Sequence, residues 1–119
     1  MAEGEVIDRA VLDDLLQTVG GDRSFLAELI DSYFDDTPRQ LASMRRALEA
    51  GNAEELRRAA HTLKSNSSNF GAMTLSSMCK ELEALGKCGE LAGAAGQIEQ
   101  IETEYARVRY ALQAAYLPI

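Results

Sequence analysis

Apolar residues recur along most of the chain three and four positions apart, which is the spacing of amphipathic helices. The first stripe spans residues 6–19 and ends at a pair of glycines, with Asp8 placed to cap its start. The second stripe begins at Asp22 or Ser24. Similar stripes continue almost to the end of the chain, so the pattern predicts helices separated by short connections.

The second stripe contains a proline. Pro38 fits either the first turn of a new helix or a bend in one long helix that reaches Ala50, and we favour the bend. The third helix is expected to start at Asn52, which forms a capping-box-like pair with Glu55. The stripes of the last three helices contain Leu56, Ala60, Leu63 and Phe70, then Leu75, Met78, Leu82 and Leu85, and finally Ile98, Ile101, Tyr105, Val108, Leu112 and Ala115.

Five or six such helices with short connections predict an all-α fold, an antiparallel bundle of helices. The length of 119 residues fits a single domain, with its core at about residues 6–115. A hydrophobic content of 46% excludes a disordered chain. Gly71 is expected to end the third helix as a C-cap, and Gly86 and Gly89 to follow the fourth stripe.

The net charge and the N-terminal sequence bear on the kinds of partner and the location of the protein. A formal charge of −7 argues against binding to nucleic acid or to an anionic membrane. The N-terminal residues are acidic and lack the pattern of a secretory signal, and there is no run of 18 apolar residues, so we expect a cytoplasmic protein. Cys79 and Cys88 are expected to be free thiols rather than a disulfide.

His61 is the single histidine, and the helical periodicity places it about 140° from the apolar line of its helix, so it should face water. Its helical neighbours are Arg57, Lys64, Ser65 and Ser68. Two cations and two small residues around an exposed imidazole suit a nucleophile that meets a flat partner and an anion such as phosphate. An idle surface histidine on a solvated face is the alternative.

A tight antiparallel turn at residues 71–72 would place Glu83 level with His61. A carboxylate there could accept the Nδ1–H of the imidazole and leave Nε2 free and basic toward solvent. The sequence alone leaves open that Glu83 is an exposed side chain without a partner. A zinc site from His61, Cys79 and Cys88 would lack a fourth ligand, so no bound metal is expected.

The segment from Ala60 to Ala72, AHTLKSNSSNFGA, resembles the signature of the histidine-containing phosphotransfer (HPt) domain. The resemblance extends over about residues 6–115 and implies an antiparallel four-helix bundle with one or two additional N-terminal helices. It further implies a phosphoprotein of two-component signal transduction. The residues that match the signature are His61, Leu63, Lys64, Ser67, Gly71 and Ala72.

The resemblance implies that His61 becomes a phosphohistidine, that Lys64 neutralises the phosphoryl group, and that Glu83 orients the imidazole. Ser65 departs from the family pattern, which has a glycine there in many members; we expect function to be retained. The surrounding Arg57, Arg58, Ser65 and Ser68 are then expected to contact the partner.

The implied partners are receiver domains of response regulators and a histidine kinase, which can be a hybrid kinase. The receiver would supply the aspartyl phosphate and Mg²⁺, so this chain needs no cofactor of its own. No Gly-rich phosphate loop is present, and we expect no ATP turnover. The alternative is a helical docking or scaffold module that binds signalling partners without being phosphorylated. A monomer is the simplest state for so small and charged a domain.

Overall fold

The computed structural model describes residues 6–116, and all regular secondary structure in this range is α-helical. Helices α2 to α5 contact one another in a closed ring, and α1 packs on α2 and α3. The connections are so short that neighbouring helices run antiparallel. The all-α prediction is therefore confirmed, with α1 as the one additional N-terminal helix. The elements are α1 (Arg9–Thr18), α2 (Arg23–Ala50), α3 (Ala53–Asn69), α4 (Met73–Cys88) and α5 (Ala94–Tyr116).

Side-chain caps start the first three helices, as the sequence predicts. Asp8 Oδ1 accepts from the Ala10 amide at 3.0 Å. Asp22, rather than Ser24, caps α2. Asn52 caps α3 through the amide of residue 55. Each cap satisfies an amide that has no partner within its own helix.

Helix α2 is continuous for 28 residues and contains Pro38 in its interior. The prediction of one long helix is confirmed, and a new start at the proline is wrong. Pro38 has no N–H for the carbonyl of Phe34, so the helix loses one backbone hydrogen bond there. Next to it, the buried Thr37 hydroxyl donates to the Tyr33 carbonyl at 2.7 Å. Side chains on both sides of the proline, Tyr33 and Met44 among them, pack into the core.

The core lies along the axis of the four-helix bundle. One buried hydrogen bond crosses it, between the Tyr33 hydroxyl and Ser67 Oγ at 2.8 Å. Tyr33 also stacks on Phe70 and meets Tyr105 edge-on. The largest fully buried side chains are Leu12, Leu26, Ile30, Met44, Leu56, Leu63, Leu75, Leu82, Ile98, Ile101, Val108 and Leu112.

The turn between α3 and α4 is built on Gly71, whose φ is +79°. The amide of Ala72 bonds to the carbonyl of Ser67, and the amide of Gly71 to that of Ser68, which is the Schellman pattern expected of a C-cap. Gly71 also accepts a hydrogen bond from the Asp8 amide at 2.8 Å, and a Cβ on it would lie 2.6 Å from the Asp8 carbonyl oxygen. The same glycine therefore ends α3 and anchors the start of α1.

The end of α4 differs from the sequence expectation. Gly86 lies inside the helix, which continues to Cys88 and ends at Gly89. Cys88 is thus the last residue of α4, and it is an exposed free thiol. Cys79 is also a free thiol, as predicted, and its burial raises its pKa to about 12. No helix within residues 6–116 is long and apolar enough to cross a membrane.

Candidate functional site

His61 lies in the middle of α3 with 54% of its side chain exposed. Its neighbours Ala60 and Leu63 are fully buried, so the helix turns its apolar side to the core and the imidazole to solvent. The prediction that the histidine faces water is confirmed.

Glu83 of α4 faces the histidine across the α3–α4 contact. His61 Nδ1 lies 2.9 Å from Glu83 Oε2, and Lys64 Nζ lies 2.7 Å from Glu83 Oε1. Only 7% of the Glu83 side chain is exposed. The predicted level pairing is thus present, and the alternative of an exposed Glu83 without a partner is wrong.

Close packing of the two helices brings these groups together. Gly86 lies one turn beyond Glu83 and touches the backbone of α3, since a Cβ there would come within 2.9 Å of both Cβ and N of Arg57. Only glycine allows the helix axes to approach this closely. Ser76 Oγ adds a hydrogen bond to the carbonyl of Lys64 at 3.0 Å.

The pKa of Glu83 is lowered. The hydrogen bond from Lys64 is the largest cause of this lowering, and the bond from His61 adds to it. Burial has the opposite effect and acts to raise the pKa. Glu83 is therefore a carboxylate at neutral pH. A carboxylate can only accept, so in the neutral imidazole the proton is on Nδ1 and the lone pair is on Nε2.

The other predicted residues surround the histidine on the same surface. Arg57 binds Glu54 through two hydrogen bonds of 2.9 and 2.6 Å, and it holds the pKa of Glu54 at about 2. Arg58 makes a longer contact of 3.4 Å to the same carboxylate. Ser65 is exposed and Ser68 is half-buried. Their contact with a partner stays a prediction.

Lys87 is a residue of this site that the sequence analysis missed. Its Nζ lies 4.0 Å from Glu83 Oε2. The sequence held a signal for this contact, because residues four apart on a helix are neighbours.

The role of Lys64 toward a phosphoryl group stays a prediction, since Lys64 here is bound to Glu83.

The arrangement does not resemble a metal site. Within the described residues, no group of three or more His, Cys, Asp or Glu side chains could hold a metal ion. The zinc alternative also conflicts with burial, because Cys79 is fully buried in the core while His61 faces solvent.

The site is thus a buried carboxylate bonded to the inner nitrogen of an exposed histidine, on an all-helical bundle. The family model of the Hpt domain matches residues 28–111. The chain belongs to the Hpt domain family.

Relatives of this Hpt domain are found in bacteria, fungi and plants. The crystal structure of histidine-containing phosphotransfer protein B from Pseudomonas aeruginosa has a TM-score of 0.89 and 36% identity, covering 98% of this chain and 99% of that one. Multistep phosphorelay regulator 1 of Schizosaccharomyces pombe is 28% identical over 69% of this chain. Histidine-containing phosphotransfer protein 2 of Arabidopsis thaliana is 24% identical over 78%. The aligned parts make up 28% and 62% of the fungal and plant proteins.

Proposed function

We propose that this protein is the phosphotransfer intermediate of a multistep two-component phosphorelay. His61 accepts a phosphoryl group from the aspartyl phosphate of one receiver domain and passes it to an aspartate of another. The observation that carries the proposal is the 2.9 Å bond from His61 Nδ1 to Glu83 on an exposed ring. That bond directs the reactive Nε2 lone pair away from the protein.

The transfer requires one nucleophile and no proton movement. The Nε2 lone pair forms the bond to phosphorus as the bond from phosphorus to the aspartyl oxygen breaks, and the aspartate leaves as a carboxylate. The imidazole then carries a positive charge, and its Nδ1–H stays bonded to Glu83. Transfer to the next receiver reverses these changes. Phosphoryl transfer depends mainly on positioning and charge neutralisation, which a small module can supply.

The partners follow from this chemistry. A receiver domain supplies the acidic pocket and Mg²⁺, and Arg57, Arg58, Ser65 and Ser68 form the surface that contacts it. Lys64 neutralises the phosphoryl group once that group is on the histidine. A histidine kinase, free or hybrid, supplies the phosphoryl group at the start of the relay. We expect the domain to act as a monomer in the cytoplasm.

The test is transfer of label from a panel of phosphorylated receiver domains in the presence of Mg²⁺. We expect label on the wild type and none on His61→Gln. The label should be lost in acid and stable in base, as expected of a phosphoramidate. Circular dichroism should give the same helicity for both proteins, because the histidine is on the surface.

Two outcomes would contradict the proposal. Label that persists on His61→Gln would place the acceptor elsewhere. A receiver that binds wild type and His61→Gln equally, without transferring label to either, would favour the scaffold alternative instead.

A further inference from the structure

Lys87 lies on α4 one turn beyond Glu83 and is the most loosely held cation near the histidine. Its Nζ is 4.0 Å from Glu83 Oε2, the oxygen that also accepts the His61 hydrogen bond. Its side chain is 63% exposed, and within residues 6–116 this is its closest approach to an acidic side chain. The Lys87 side chain can therefore move to a new position at a small cost in free energy.

The other cations near the histidine are already bound, and two of them, Arg57 and Arg58, contact Glu54. Arg57 makes two short hydrogen bonds to Glu54. Lys64 binds Glu83 at 2.7 Å, and only 27% of its side chain is exposed. If Lys64 turns outward to a phosphoryl group, this bond to Glu83 is broken. The buried carboxylate would then lose its shortest partner, which is unfavourable unless another cation replaces it.

We propose that Lys87 is a positioning residue that binds Glu83 when Lys64 turns toward the phosphoryl group on His61. This inference rests on the proposed function. The four-carbon side chain of Lys87 can close the distance from 4.0 Å to a hydrogen bond without movement of the backbone. Glu83 then has a lysine partner and the hydrogen bond from His61 Nδ1 both before and after His61 carries the phosphoryl group. Lys87 itself makes no bond to the phosphoryl group.

The test compares Lys87→Ala with Lys80→Ala. Lys80 is exposed on the same face of α4, one turn before Glu83, but its ammonium does not come within 4.0 Å of the Glu83 carboxylate, so the matched variant removes the same charge without removing that contact. The rate of label transfer from a phosphorylated receiver is measured for each. We expect Lys87→Ala to be about fivefold slower than wild type and Lys80→Ala to remain within about twofold. Lys87→Arg should restore the rate, because a guanidinium also reaches the carboxylate.

The same substitution in a Lys64→Ala protein distinguishes a positioning role of Lys87 from direct contact with the phosphoryl group or the receiver. If Lys87 acts by releasing Lys64, then Lys87→Ala should change the rate by less than about twofold in a Lys64→Ala protein. A further loss as large as in the wild type would mean that Lys87 acts on the phosphoryl group or on the receiver itself, and would overturn the positioning role. If Lys87→Ala loses helicity, Lys87→Gln takes its place in both comparisons.

The two proposals fail in different ways. A labelled wild type with equal rates for Lys87→Ala and Lys80→Ala overturns the role of Lys87 alone. A wild type that no receiver labels overturns the proposed function, and the role of Lys87 with it.

Discussion

Glu83 combines burial, a negative charge and two short hydrogen bonds in one side chain. Its carboxylate accepts from His61 and Lys64 while being almost completely shielded from water. The imidazole orientation and the lysine position therefore depend on the same ionised group. Protonation of Glu83 would remove the charge and weaken both interactions together.

Replacement of Glu83 by Gln should weaken the dependence of stability on acid pH. The lowered pKa of Glu83 in the folded state means that its contribution is complete above the unfolded pKa of about 4.3 and is lost as pH falls through the folded value. At pH 7 we expect Glu83→Gln to be less stable by on the order of 1–2 kcal/mol. The difference should shrink on acidification.

Urea unfolding of both proteins from pH 7 to pH 3 measures this difference. A gap between wild type and Glu83→Gln that stays constant over the whole range would contradict the coupling between the carboxylate charge and stability.

At the level of elements, the site depends on the close contact between α3 and α4. Gly86 leaves no room for a Cβ against the Arg57 backbone. Gly86→Ala should therefore push the helices apart, lower the free energy of unfolding by about 1–3 kcal/mol and slow the labelling of His61.

Gly96→Ala is the matched control for this contact. Gly96 is also helical, in α5, and a Cβ there would meet nothing within 4 Å. We expect a gain of up to about 0.5–1 kcal/mol from improved helix propensity and no change in labelling. Equal effects of the two substitutions in urea unfolding would argue against a specific role of the helix contact.

The helices could be predicted from sequence because apolar spacing and capping residues are local signals. The level pairing of Glu83 with His61 could also be predicted, since a short turn fixes the register of a helical hairpin. The sequence did not reveal that Gly86 is a packing position, because a glycine near the end of a stripe has the same pattern as a stop. It did not reveal the burial of Glu83 either, since burial depends on how closely two helices approach.

Across the whole molecule, charge is distributed unevenly. Residues 53–88, which form α3 and α4 with their turn, contain five Lys and Arg and four Glu, a formal charge of +1. The rest of the chain contains seven Lys and Arg and fifteen Asp and Glu, a formal charge of −8. An acidic receiver pocket would therefore be attracted to the histidine surface and repelled elsewhere.

Reversal of one charge on this surface should slow association with a receiver. We expect Arg58→Glu to lower the association rate about threefold at low ionic strength, and much less in high salt, because the exposed charges are then screened. Stability should change by less than about 0.5 kcal/mol, as Arg58 is exposed. Stopped-flow binding at several salt concentrations measures the rate.

Arg23→Glu provides the control for net charge. Arg23 begins α2, and because Tyr33 of that helix contacts Ser67, residue 23 lies beyond the C-terminal end of α3, away from the histidine. The same loss of rate for both variants would mean that total charge, rather than its location, governs association.

The two thiols differ in a way that matters for labelling the molecule. Cys79 is enclosed in the core with a pKa of about 12, whereas Cys88 is exposed at the last residue of α4, next to Lys87. A maleimide dye would consequently react at Cys88 in the native protein, without any engineered cysteine. Cys88 thus provides an attachment site for a fluorescent dye about one and a half helical turns from Glu83. A dye there is close enough to sense a protein that covers the histidine.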